Sequence, residues 1–170
     1  MGVDPGSRFT GWGIIRSDGA ESCYVASGCI ALPPRRPMGE RLTRIYKELG
    51  EIARCHRVEE AALETVFVHR NVQSALKLGQ ARGAALCALV MAGVGEAAEY
   101  SPRRVKQAVC GYGGAGKEQV ALMVARLLDH DSDFGEDEAD GLALSICHAH
   151  HLSVARLAAR AREASGEAVS

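Results

Sequence analysis

Apolar residues recur along this chain with two different periods. Val3-Asp4-Pro5-Gly6-Ser7 reads as the end of a strand running into a glycine-rich turn. A second strand follows and ends at Asp18-Gly19, a hairpin signal, and Tyr24 to Leu32 is the returning strand. Pro33-Pro34-Arg35-Arg36-Pro37 stops it. From Gly39 to His56 the period changes, with Leu42, Ile45, Leu49, Ile52 and Ala53 at helical spacing. Glu60 to Leu63 is a short apolar-leaning run closing on Glu64, a buried strand. Asn71 then caps a long helix, Val72 to about Met91, and Ala97 to Tyr100 is a further strand. Helices are predicted over Pro102 to Cys110, Lys117 to Leu128 and roughly Asp137 to His151, the first with Ser101 as N-cap and Pro102 at its first position. Strands first, then strand and helix in alternation, is the pattern of an α/β fold.

Two local features qualify this picture. Gly79 and Gly83 form a G-x-x-x-G on the long helix, which admits a second backbone, either by tight packing within the fold or at a contact between two copies. After His151 the chain is rich in Ala, Arg and Glu, a tail that is helical or disordered and frayed at its end.

A chain of 170 residues suits one domain with a real core. No basic, apolar leader opens it, and the longest apolar run, Ala84 to Gly95, is too short to span a bilayer. The expectation is a cytoplasmic protein with no membrane segment. Its six cysteines lack any C-x-x-C pair and read as reduced, partly buried thiols. The formal net charge is −1, but it is unevenly spread. Asp129 to Asp140 holds seven of the 21 acids and no Lys or Arg, which leaves the rest of the chain, 20 bases against 14 acids, at +6. An acidic knot on a basic body fits cations held in a site that faces a polyanion, and equally a solvated acidic loop.

The segment CGYGGAGKEQV, Cys110 to Val120, contains G-x-x-x-x-G-K, the phosphate-binding loop of nucleotide hydrolases, up to its last position. There Glu118 replaces the magnesium-ligating hydroxyl, and a helix rather than a strand precedes the loop, so the ATPase reading fails. A sugar-kinase or actin-like ATPase needs two such domains, for which the chain is too short.

The carboxylates carry more. Asp4 is kept extended by Pro5 and projects at the carboxyl end of a strand, and Glu64 follows Ala61-Ala62-Leu63 in the same way. Asp137 and Asp140 are three apart on one helical face, beside the buried stripe of Ala139, Leu142, Ala143, Ile146 and Cys147. Like charges gathered at one site need protons or a cation, and all-oxygen ligands suit Mg²⁺ or Mn²⁺. Plainer readings stand beside this: Asp4 as a turn former, Asp137 as an N-cap, Glu136 and Glu138 as solvated acids. Cys147 and His151 offer two zinc ligands without a second pair, and the histidines of CHAHH read more simply as helix-end residues meeting the dipole. Trp12 and Tyr112 are candidates for base stacking, with core or loop packing as the alternative.

Five segments together resemble one family. VDPGSRFTGWG, Val3 to Gly13, is similar to the first motif of RuvC, the bacterial Holliday-junction resolvases, and Leu63-Glu64-Thr65-Val66-Phe67 to the second. NVQSALKLGQARG, Asn71 to Gly83, resembles the family's long helix, VKQAVCGYGGAGKEQV its basic loop, and DEADGLALSICHAH its last acidic helix. The resemblance runs in the family's order from residue 2 to about 150.

It implies an RNase H-like fold, a five-stranded mixed β-sheet flanked by α-helices, with residues 1–151 as the nuclease domain and 152–170 as the tail. It also implies a homodimer that cuts four-way DNA junctions with Mg²⁺, two per site and replaceable by Mn²⁺, in recombination and repair. Cutting leaves 5′-phosphate and 3′-hydroxyl ends, and the branch-migration motor complex of RuvA and RuvB is the implied partner. By position, Asp4, Glu64, Asp137 and Asp140 take the metal-binding and catalytic roles. Lys106, Lys117, Arg70 and Lys77 take DNA-binding ones, and Phe67 that of an aromatic at the junction centre. Lys117, on its glycine-rich loop, is expected at a phosphate of the strand being cut. One departure stands out. Only Met1, Gly2 and Val3 precede Asp4, where relatives carry several more apolar residues. Either the true start lies upstream or strand one is truncated; a truncated strand is expected to let Asp4 fray, and the alternative that follows is a non-catalytic junction-binding module.

Overall fold

A computed structural model of the chain describes residues 1–19, 21–65, 72–131 and 134–164. Its centre is a five-stranded sheet in the order β3-β2-β1-β4-β5. The strands are β1 (Gly2–Pro5), β2 (Phe9–Ser17), β3 (Ser22–Ala31), β4 (Ala62–Glu64) and β5 (Ala98–Tyr100). The first three pair antiparallel, and β4 and β5 run parallel to β1 and to each other. The helices are α1 (Met38–Cys55), α2 (Val72–Met91), α3 (Pro102–Cys110), α4 (Lys117–Leu127) and α5 (Glu136–Ala164). This is the mixed, helix-flanked sheet that an RNase H-like fold requires.

Side chains alternate between the two faces of the strands, and the core is divided accordingly. Val3, Ile14, Ile30 and Leu63 pack with Ile45 and Leu49 of α1 and with Ala85 and Leu89 of α2. On the other face Ala62 and Tyr100 pack with Val105 and Val109 of α3, Val120 and Val124 of α4, and Leu142, Ile146 and Cys147 of α5. Every second residue of the central strands therefore meets α5, and Asp4 belongs to that set.

The short first strand does not fray. Gly2 to Pro5 pair with Gly13 to Thr10 of β2, while Gly2 and Val3 pair with Ala62 and Leu63 of β4. A central strand held on both edges keeps its register although it is only four residues long, which overturns the expected loosening of Asp4.

Helix α5 lies unusually close to the sheet. A side-chain carbon at Gly11 would meet the carbonyl oxygen of Asp137 at 1.9 Å, and one at Gly141 would meet the backbone of Trp12 at 2.5 Å. Bare backbone therefore faces bare backbone, and the Ser145 hydroxyl stitches the two by donating to the Gly13 carbonyl at 2.7 Å.

Other expectations shift. Helix α5 continues without a break past His151 to Ala164, so the histidines of CHAHH are not at a helix end. Tyr100 Oη and His148 Nδ1 are instead 3.0 Å apart, and His151 stacks on the same tyrosine ring. A side-chain carbon at Gly79 or Gly83 would meet nothing within 4 Å among the described residues, so these glycines serve no tight packing there. Four of the six cysteines are exposed and only Cys147 is buried. Among the described residues no helix is long and apolar enough to cross a membrane.

Gly141→Val must push α5 off β2. We expect it to lower unfolding free energy by about 3 kcal/mol, measured by urea denaturation, whereas Gly39→Ala, exposed in the first turn of α1, should leave stability unchanged or raise it.

Candidate active site

Three of the four acids expected from the sequence reach their places by strand register and one helix turn. Val3 pairs with Leu63, so the next residues, Asp4 and Glu64, stand side by side at the carboxyl ends of β1 and β4. Both point to the α5 face, because Val3 and Leu63 fill the opposite core. Asp140 comes down onto them from the first turns of α5, which the glycine contacts hold against the sheet.

The electrostatics show the result. Burial first, then the nearby charges of Asp140 and Asp137, push Asp4 up to about 6. Glu64 is pushed up to about 7 by burial and then by Asp4 and Asp140. Asp140 is raised by burial, against the pull of Lys117, with Glu136 and Asp137 adding to the rise. Each of the three feels at least one neighbouring acid, as carboxylates sharing a poorly hydrated site must.

Asp137 sits at the rim. Its Oδ2 accepts a hydrogen bond from the Cys29 thiol at 3.6 Å. It is a first-turn residue of α5, inside the helix rather than its N-cap. Desolvation and the Asp137 carboxylate push the Cys29 thiol up to about 11.

Two lysines oppose the acids. Lys117, the first residue of α4, has its Nζ 3.8 Å from Asp140 Oδ2 and also donates to Glu136. Lys106 on α3 lowers the pKa of both Glu64 and Asp140. The glycine loop before α4 thus delivers a cation to the acid cluster. Glu136, exposed and solvated as read from the sequence, also pairs with Lys117. Neither that pairing nor the one between Cys29 and Asp137 has a local signal, since the partners lie 19 and 108 residues apart.

Of the other expected site residues, Lys77 does not join this group. Lys77 is exposed on α2, with no ion pair among the described residues. Phe67 and Arg70 lie outside the described residues. Trp12 is half-buried against Gly28 and His56, a packing role, and Tyr112 is exposed and donates to Gln119.

The donor set fits a hard divalent cation: four carboxylates, two of them with ionised forms strongly disfavoured, and a lysine ammonium supplying part of the missing positive charge. As the side chains stand, no three His, Cys, Asp or Glu groups among the described residues close round a single point. The expected convergence is a shared neighbourhood rather than a finished cage, as mutual repulsion requires of bare carboxylates.

The pH consequence has a definite sign. Unfolded, Asp and Glu titrate at about 4. The folded, metal-free protein holds the Asp4 and Glu64 protons to about 6 and 7. Their contribution to stability is therefore full below about pH 4 and is lost as pH rises through that window. In EDTA, wild-type Tm should fall between about pH 4 and 7 relative to Asp4→Asn and Glu64→Gln. Parallel Tm curves for the three proteins would contradict this.

Comparison with known proteins points to one family. The family model "Crossover junction endodeoxyribonuclease RuvC" matches residues 1–148. A relative of that name from Alkalilimnicola ehrlichii is 50% identical over 164 residues, covering 96% of each chain. One from Halorhodospira halophila is 52% identical over 159 residues, covering 94% of each. Among solved structures, Thermus thermophilus RuvC superposes with a TM-score of 0.81 at 35% identity, over 91% of this chain and 95% of that one. The same protein in complex with a Holliday junction substrate gives 0.84 at 35% identity, over 91% and 94%.

Proposed function

The chain belongs to the RuvC family of crossover junction endodeoxyribonucleases, and from that premise we propose how its own residues carry out junction cleavage. It is a metal-dependent endonuclease that resolves four-way DNA junctions by hydrolysing phosphodiester bonds, leaving 5′-phosphate and 3′-hydroxyl ends, in recombination and repair. The observation that carries the mechanism is the acid cluster of Asp4, Glu64 and Asp140, with Asp137 at its edge, at the carboxyl ends of parallel strands and faced by Lys117 and Lys106.

Asp4, Glu64, Asp137 and Asp140 would hold Mg²⁺, two ions per site, with Mn²⁺ able to replace it. Bound there, the metal supplies Lewis-acid activation of water and stabilises the leaving oxygen. The protein's share is to prepare for that charge. Burial and mutual repulsion make Asp4 and Glu64 reluctant to ionise alone, so the site favours whatever brings positive charge. Lys117 now meets Asp140 and Glu136. When a DNA phosphate enters, Lys117 and Lys106 are the nearest cations to receive it, and the glycines before Lys117 let its backbone follow. Lys77, Arg70 and Phe67 are assigned to the DNA. Residues 1–151 are assigned to the nuclease domain and 152–170 to a tail, of which 152–164 continue α5.

A different surface supports a homodimer. Helix α2 exposes Val72, Leu76, Gly79, Gly83 and Val90, spaced as one stripe, with Leu76 57% and Val90 54% exposed. Two copies seated there would place two sites about a two-fold axis, matching the paired strands of a junction. The branch-migration motor complex of RuvA and RuvB is the proposed partner, and the cytoplasm the location. A non-catalytic junction-binding module is not favoured, because the strand whose weakness motivated it is paired on both edges.

Asp140→Asn should reduce nicking of a synthetic four-way junction in Mg²⁺ by at least about a hundredfold while junction binding in gel-shift assays is retained. Undiminished cutting would remove Asp140 from the mechanism. Leu76→Arg should sediment as a monomer where the wild type sediments as a dimer, and an unchanged sedimentation coefficient would move the interface elsewhere.

A further inference from the structure

The acid site extends one strand further than its carboxylates. Gly11 pairs with Asp4 on one side and with Cys29 on the other. Cys29, Gly11, Asp4 and Glu64 therefore form a single row across β3, β2, β1 and β4. Ile30, next to Cys29, fills the α1–α2 core, so Cys29 points to the α5 face with the acids. Gly11 leaves the gap in this row, and the backbone of Asp137 occupies it. Asp137 is thus seated between Cys29 and Asp4, and the Cys29 thiol reaches its Oδ2 at 3.6 Å.

We propose that Cys29 is a positioning residue of this nuclease: its thiol donates to Asp137 and fixes the rotation of that carboxylate so that the remaining oxygen is offered to the metal. The inference rests on the reading of Asp137 as a metal ligand. Asp137 needs such a partner more than the other acids do. Asp4 and Glu64 are fixed by strand pairing, and Asp140 is met by Lys117. Asp137 lies at the rim on the first turn of a helix, and among the described residues Cys29 is its one recorded hydrogen-bond donor. A free thiol carries its proton at neutral pH and serves as a weak donor. Partners that orient a metal ligand commonly govern metal affinity rather than the fold. In this role Cys29 acts through Asp137, so the effect should fall on metal binding.

The test is a Mn²⁺ titration of the full chain, followed by electron paramagnetic resonance, on wild type, Cys29→Val, Cys29→Ser and Asp137→Asn. Valine keeps a strand-compatible shape without a donor, and serine restores a donor. Cys29→Val should bind Mn²⁺ roughly three- to tenfold more weakly with an unchanged Tm, and Cys29→Ser within about twofold of wild type. The Mg²⁺ concentration for half-maximal junction nicking should shift by the same factor, with the saturated rate preserved. Wild-type affinity in Cys29→Val, or an equal loss in Cys29→Ser, overturns the proposal. Asp137→Asn separates the two levels. If it weakens binding while Cys29→Val does not, only the role of Cys29 falls. If it leaves binding intact, the reading of Asp137 as a ligand falls as well.

Discussion

The active arrangement depends on one backbone-to-backbone contact. Helix α5 crosses β1 and β2 at a distance that tolerates no side chain at Gly11 or Gly141, and the buried Ser145 hydroxyl bonds to the Gly13 carbonyl at the same crossing. Side chains of ordinary size would hold a helix well away from a sheet. Here the spacing collapses, and the first turns of α5 come down level with the ends of the strands. Everything chemical follows from that height. Asp140 comes close enough to raise the pKa of Asp4 and Glu64, and Asp137 drops into the space beside Cys29.

The contact brings together groups that repel. Carboxylates drawn from water into one cleft resist ionisation, and the fold tolerates them because hydrophobic packing elsewhere on α5, through Leu142, Ala143, Ile146 and Cys147, fixes the helix independently of the charges. The apolar stripe supplies the stability and the acidic rim spends part of it on function, a trade typical of active sites. Lys117 and Lys106 moderate the conflict without removing it. The lysine that the sequence places in a glycine-rich loop is, in the folded protein, the countercharge to Asp140.

Much of this was legible in the chain. The strands and helices follow the change of period from two to about three and a half residues, and Ser101 with Pro102 marks the start of α3 as expected. Asp4 and Glu64 were recognisable because each ends a short apolar run. Asp137 and Asp140 were recognisable because three residues is one helical face. The illegible parts depend on register and distance. Nothing near Cys29 in the sequence points to Asp137, because the link passes through two strand pairings and a helix 108 residues later. The pairing of Glu136 was not legible because its partner, Lys117, begins a different helix. The glycines of α2 were misread in part, since G-x-x-x-G states that a backbone can approach without saying whose. The histidines after Cys147 were misplaced because Ala-, Arg- and Glu-rich sequence gives no stop signal, and α5 runs on.

The chain order of these elements has a consequence for synthesis. All five strands are complete by Tyr100, yet Asp137 and Asp140 belong to the final helix. A partly made polypeptide emerging from a ribosome can assemble its sheet while carrying only half of the acids. Contacts so distant along the chain form late, since the loop between them must close first. With Asp137 and Asp140 as metal ligands, as proposed, the acid site is incomplete until α5 has been made.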